Sequence, residues 1–326
     1  MAKDVALTEW LLTSDPALRW RVQRDITGEA SAVWQATKAT VATEGLGARL
    51  VALQDADGQW AGGSYFPAGW DWHGPEAQKG MGQPWVATTW SLNALREWGL
   101  DASALEGTAA QLAANSRWDY NNGPYWEGEV DCCINGYTIA NGAWLGQDVA
   151  PLAHWFLDHQ QDDGGWNCEW VEGSARSSFD STLNSLKGLL AWETVTGGTP
   201  ELTAARHRGE EYLLQRRLLY RLSTGEQLDP RITVFAYPFR WFYTVLNALD
   251  YFRSAALVDE TSPDPRLAEA IGIIRDARQA DGTWLQERRY PGRAWFEEDV
   301  PVGEPSKWLT FFSLRVLDWW DAARRV

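Results

Sequence analysis

Apolar residues recur at helical intervals along the second half of the chain: Leu183, Leu186 and Leu190; Trp241, Val245, Leu249 and Phe252; Trp308, Phe312, Val316 and Trp319. Spacings of three and four place each set on one face of a helix. Runs beginning at Trp85 (WVATTWSLNALREW) and Ile134 (INGYTIANGAWLG) bring the predicted helices of this kind to five, and both carry polar residues that a wholly apolar core helix would lack. Three of the five are preceded by another amphipathic stretch, LGARLVAL, LAHWFLDH or LAEAIGIIRDA, and by a turn.

Those turns are related in sequence. QDADGQW (54–60) and QQDDGGW (160–166) share glutamine, three residues, glycine, one residue and tryptophan, and RQADGTW (278–284) follows with its glutamine, Gln279, one place late. Internal repetition of this kind predicts a repeated helical hairpin. Glycine and aspartate accept the turn geometries that end helices. The glutamine amide is suited to backbone groups left open at helix termini, and the indole to stacking on the next repeat. Little of the chain alternates as strands do, so the pattern predicts one all-α domain over residues 1–326.

Composition narrows the partners. Twenty-two tryptophans in 326 residues is far above ordinary usage, while 45% hydrophobic and 22% charged residues is ordinary. A net charge of −15 repels phosphate, which argues against nucleic acid as the main partner. The start lacks a basic and apolar leader, and no window approaches 18 uninterrupted apolar residues, so a cytoplasmic protein with no transmembrane segment is expected. Three cysteines, Cys132, Cys133 and Cys168, are too few for a disulfide framework and read as buried thiols or metal ligands.

Repeated Q-x-x-x-G-x-W segments closing helical hairpins resemble the terpenoid cyclase and protein prenyltransferase superfamily. Through WLLTSDPALRWRVQRDITG, GEVDCCINGY, DGGWNCEW…SSFDST and PSKWLTFFSLRVLDWW, the chain looks like bacterial squalene-cyclase-like or prenyltransferase-like single-domain proteins. The resemblance implies an α/α toroid of five or six helical hairpins around a central cavity. It also implies two chemistries. Squalene-hopene type cyclases protonate an alkene or epoxide from an acidic DxDD run; here only Asp180 of FDST corresponds, without supporting carboxylates. Protein prenyltransferases hold zinc through a D-x-C pair and a later histidine; Asp131 and Cys133 match the pair, and Asp180 stands where the histidine would align.

The residues themselves leave several readings open. Asp180, at a helix start, either caps that helix or, desolvated, serves as a general acid, with Asp131 as a second catalytic carboxylate; Arg176 nearby would favour ionised Asp180. Asp131, Cys133 and Cys168, joined by Asp180, offer the donors a zinc ion takes, although no cofactor is required by the acid chemistry. His154, His159 and His207 read as solvent-facing or capping, and His73, in a Gly- and aromatic-rich loop, as a lid residue. Tyr137, Trp170, Trp241, Tyr243 and Trp308 fall near helix starts and are expected to hold substrate, with Arg240 or Lys307 orienting a polar head group. No phosphate-loop or dinucleotide fingerprint is present.

The expected activity is acid-initiated cyclisation or isomerisation of a small apolar, isoprenoid-like substrate. Rival readings are a carbohydrate-active enzyme using paired carboxylates drawn from Glu127, Glu129, Asp131, Glu169 and Asp180, a zinc-dependent transferase, and a non-catalytic ligand-binding toroid.

Overall fold

The computed structural model describes residues 5–78 and 82–324. They are all-α apart from a two-residue ribbon, β1 (Trp284–Leu285) paired antiparallel with β2 (Pro305–Ser306). The chain opens with α1 (Val5–Leu12), α2 (Pro16–Arg21), a π-helical turn at Val22–Thr27, and α3 (Ser31–Ala39). Five pairs follow, in which a first helix is succeeded by the second after a turn or loop. They are α4 (Gly45–Val51) with α6 (Thr88–Trp98), the short α5 (Pro75–Gln78) lying between them; α7 (Thr108–Asn115) with α8 (Cys132–Trp144); α9 (Ala150–Asp158) with α10 (Phe179–Thr196); α11 (Pro200–Gln215) with α12 (Val245–Val258); and α13 (Ala268–Asp276) with α14 (Lys307–Ala322). These second helices are the five runs that the apolar spacing predicts, with two starts displaced: α6 begins at Thr88, so Trp85 precedes it, and α12 begins at Val245, capped by Thr244, so Trp241 and Tyr243 precede it.

The repeated turn is a three-point staple. Trp60, Trp166 and Trp284 are fully buried, and each indole donates to a carbonyl ten residues back, at the end of the first helix: Leu50 (2.9 Å), Phe156 (3.0 Å) and Ile274 (2.8 Å). Their backbone amides donate to threonine hydroxyls at the start of the second helix, Thr88, Thr182 and Thr310, at 3.0–3.1 Å. One residue therefore fills an open helix C-terminus and pins the next helix. The glutamines reach further: Gln54 donates to Gly58 O and to the Thr108 hydroxyl of α7, and Gln160 to Gly164 O and to Ala205 O of α11. In the third copy this place belongs to Arg278, whose Nε donates to Gly282 O at 3.3 Å; Gln279 turns to Ala277 O instead.

The second helices pack in sequence order, α6 on α8, α8 on α10, α10 on α12 and α12 on α14. At the α8–α10 crossing, Gly188 lies so close to Gly136 that a β-carbon on Gly188 would fall 2.5 Å from the Gly136 Cα. α14 then packs on the π-helical turn, and Trp20 of α2 donates to Trp98 O at the end of α6 (2.8 Å). Arg206, fully buried, ties α10, α11 and the end of α12 together through Glu193, Glu210 and Asp259 at 2.6–2.8 Å. Among the described residues, no helix is long and apolar enough to cross a membrane.

Candidate functional site

The local structure around Asp131 begins with Gly128, at φ +82°, where a side chain would collide with Leu152 and Asn135. Asn135 locks the loop from inside: its amide accepts from Glu129 N and donates to Glu129 O, each at 2.7 Å. Glu129 in turn accepts from the amide of Asp131 at 2.7 Å, which fixes Asp131 at the N-cap of α8 with its carboxylate free of the capping bond. Cys132 and Cys133 are then the first two helical residues, where the helix dipole favours negative charge.

Cys168 arrives from the second staple. Directly after Trp166, Asn167 caps a 3₁₀ turn, Cys168–Glu172, and holds the loop beyond it by donating to Arg176 O (2.7 Å). The Cys168 amide donates to the Ser181 hydroxyl of α10 at 3.1 Å. Trp166 and Cys168 are thus both moored to α10, one to Thr182 and the other to Ser181. Cys168 Sγ lies 3.1 Å from Cys133 Sγ and 3.5 Å from Cys132 Sγ. The two thiols donate to it, which favours its thiolate and holds it well below the usual thiol range. The ligand atoms of Asp131, Cys133 and Cys168 all lie within 4.8 Å of one another. Burial, then the charges of Cys168 and Glu129, push the Asp131 carboxyl up to about 8.

The cluster faces a chamber of about 770 Å³ walled by Tyr65, Phe66, Trp72, Trp118, Tyr120 and Trp241. Asp180 lines the same chamber. It does not cap α10, a task performed by Ser178; its carboxylate accepts from the backbone amide of Tyr243 at 2.7 Å. Burial pushes the Asp180 carboxyl up, while that amide pulls the other way, and the arginine that favours its ionised form is Arg231 rather than Arg176. Asp180 also borders a second hollow of about 880 Å³, on which Arg176, Arg216, Arg221, Arg231 and Arg288 converge. Trp241 and Ser178 are common to both spaces. Arg216 is paired with Asp163 and Arg231 with Asp229, whereas Arg176, Arg221 and Arg288 have no carboxylate partner among the described residues. The chamber itself has no lysine or arginine among its described lining residues.

The other residues read from the sequence fall elsewhere. Tyr137 does not line the chamber; its phenol donates to Asn184 Oδ1 at 2.9 Å, because α8 turns this position toward α10. Trp170 donates to Val130 O (2.8 Å) and packs edge-on against His159, so it braces the loop and is not among the chamber's lining residues. Tyr243 is buried, its hydroxyl bonded to Leu218 O at 2.8 Å, and borders the arginine hollow. Arg240 is paired with Glu298 at 2.5 Å and lies over Trp85, away from the chamber. Lys307 and Trp308 line a separate cavity of about 730 Å³, where Lys307 donates to Thr13 and faces Trp10 because α14 starts against the N-terminal segment. Trp308 stacks on Tyr237 at 4.5 Å. His73 is exposed, and its loop contributes Phe66 and Trp72 to the chamber instead. Of the carboxylates considered for glycan chemistry, Glu129, Asp131, Glu169 and Asp180 line the chamber and Glu127 does not.

The sequence reading missed Tyr65, Trp118 and Asp119. Asp119 accepts from Ser64 Oγ and Tyr65 N and so joins two loops of the chamber wall, a long-range link with no local signal. No protein-family model, curated protein or solved structure matches the chain.

Proposed function

We propose that this chain is a zinc-dependent enzyme acting on a small, largely apolar molecule, with the metal held by Asp131, Cys133 and Cys168. The observation that carries the reading is that three donors from two loops converge within 4.8 Å at the wall of an aromatic chamber. Two sulfurs and a carboxylate oxygen suit zinc, and three protein ligands leave a position open for water or substrate. Around a tetrahedral ion with Zn–S bonds of ~2.3 Å the sulfurs stand ~3.8 Å apart, so the Cys133–Cys168 pair needs to open by less than ~1 Å. When bound, the metal would act as a Lewis acid and lower the pKa of a coordinated water, hydroxyl or thiol.

The chain's own residues supply the rest. Trp72, Trp118 and Trp241 would hold an apolar, isoprenoid-like body, and Asp180 would hold or deliver a proton at the carboxyl that borders both spaces. An anionic head group fits the arginine hollow beyond Trp241, a role that Arg176, Arg221 and Arg288 take in place of Arg240 and Lys307. We infer that the five helix pairs close as an α/α toroid forming one domain, supported by the packing order of the second helices and by the contacts of α14 and α6 with the N-terminal segment. A cytoplasmic setting, where thiols stay reduced, suits three free cysteines.

Elemental analysis tests the assignment. The expected result is one zinc per chain after zinc loading and dialysis, lost in Cys133→Ser and Cys168→Ser; a wild-type protein without stoichiometric zinc overturns it. A second reading, proton-initiated isomerisation by Asp180 without metal, is favoured by the burial that raises this carboxyl. It predicts turnover of a linear or epoxidised isoprenoid by the metal-free protein and none by Asp180→Asn.

A further inference from the structure

The second helices enclose another space that the proposed chemistry does not use. Residues of α6, α8, α10, α12 and α14, with Arg21 of α2, line a cavity of about 260 Å³. Beside its aromatic residues, this cavity gathers eight charged side chains, more than an apolar ligand calls for. Among the described residues, five cations border it, Arg21, Arg96, Lys187, Arg240 and Arg315, against three carboxylates, Glu97, Asp250 and Glu298, an excess of two positive charges.

Pairing shows where the imbalance lies. Arg315 grips Asp250 through two bonds of 2.6 Å, and Arg240 holds Glu298. Glu97 accepts from the hydroxyl of Tyr237 at 2.7 Å and, among the described residues, is the one lining carboxylate outside an ion pair. That leaves Arg21, Arg96 and Lys187 without a carboxylate within ion-pair distance among the described residues. Arg96 donates Nε to Asn141 and Lys187 donates to Asn247, both at 2.9 Å, and each retains further N–H groups at the same space. Arg21 donates from Nη2 to the backbone carbonyl of Glu97, and its Nε is buried with no hydrogen-bond partner. Unpaired buried charge is costly, and side chains in that state normally have a partner.

We propose that this central cavity is an internal binding site for a small dianionic oxygen ligand, of the size of inorganic phosphate or a short dicarboxylate, held by Lys187, Arg96 and Arg21. The charge excess matches a dianion, and guanidinium forks with an ammonium provide the donors that oxyanions take. About 260 Å³ holds such an ion with a few waters. Burial holds Lys187 and Arg96 below their usual values, and a bound anion would restore them. The site is separate from the cysteine cluster: the two spaces share no lining residue among those described, and Tyr137 and Trp90 of this cavity stand between it and Asn184 and Tyr65 of the chamber. A protein of net charge −15 offers little general attraction for anions, and variants at Lys187 and at Arg221 distinguish this site from the arginine hollow.

The test is calorimetric titration of the full chain in phosphate-free buffer with inorganic phosphate, with succinate and, at equal ionic strength, with chloride. A binding event of one phosphate or one succinate per chain, weakened at least tenfold by Lys187→Met and retained by Cys168→Ser and by Arg221→Gln of the arginine hollow, is the expected result; which of the two binds fixes the ligand class. Should Lys187→Met fail to fold, Arg96→Gln is read in its place. Absence of stoichiometric binding by both dianions, equal binding by chloride, or equal affinity of wild type and variant overturns the proposal.

Discussion

Cys133, at the start of α8, and Cys168, just beyond the second tryptophan staple, hold their sulfurs 3.1 Å apart across thirty-five residues of chain. The approach is imposed from both sides: the Glu129–Asn135 lock sets the first turn of α8, and Ser181 anchors the amide of Cys168. Since Asp131 belongs to the same group and Cys132 does not, the three adjacent positions 131–133 should separate in effect. Cys133→Ser or Cys168→Ser is expected to weaken zinc binding at least ~100-fold, beyond the loss typical of groups that only hydrogen-bond a ligand. Cys132→Ser should keep one zinc per chain, measured by competition with a chromogenic chelator.

The staple makes a stability prediction at Thr310. Its hydroxyl accepts from the amide of fully buried Trp284 at 3.1 Å, and valine has the same shape without the acceptor. Thr310→Val should cost about 1–3 kcal/mol in urea unfolding, the penalty for leaving a buried donor unsatisfied. Trp284→Ala, which also opens a cavity, should cost about 3–5 kcal/mol.

Gly188→Ala tests the helix crossing that carries the cluster. With the new methyl 2.5 Å from the Gly136 Cα, backbone has to move, at a cost of about 1–3 kcal/mol. Because α8 also bears Cys133, zinc affinity should fall with stability, whereas a matched destabilisation at Thr310 should leave affinity unchanged.

Asp299 supplies a pH dependence remote from the cluster. Burial pushes its carboxyl up to about 6, against the hydroxyl of Ser306, which donates to it. An unfolded aspartate titrates near ~3.9, so between about pH 4 and pH 6 the folded state binds more protons than the unfolded one. This group's contribution therefore falls as pH rises through that window and stays low above it. Asp299→Asn should gain about 1–3 kcal/mol relative to wild type at about pH 8 compared with pH 4, read from denaturation midpoints at the two pH values.

The helix pairs were legible because their apolar spacing and the Q-x-x-x-G-x-W turns are local signals. Arg278 escaped that reading because identity was matched instead of geometry: its guanidinium gives the Gly282 carbonyl the donor that an amide gives elsewhere. Asp131, Cys133, Cys168 and Asp180 were legible as residue types, and the structure places all four on one chamber. Substrate-binding assignments transferred poorly, since position near a helix start does not fix which space a side chain enters; Lys307 and Trp308 go to another cavity. The polar residues within the predicted helices were visible, yet the convergence of Arg96, Lys187 and Arg21 depends on contacts between distant helices.

Cobalt(II) titration followed by absorbance tests the central claim most directly, because thiolate ligation to cobalt gives a charge-transfer band and tetrahedral coordination gives intense visible bands. The wild-type chain should develop both and saturate at one equivalent, with the charge-transfer intensity reduced in each of Cys133→Ser and Cys168→Ser and abolished in the double variant. A titration without a thiolate band, or one unchanged in the double variant, would contradict the account.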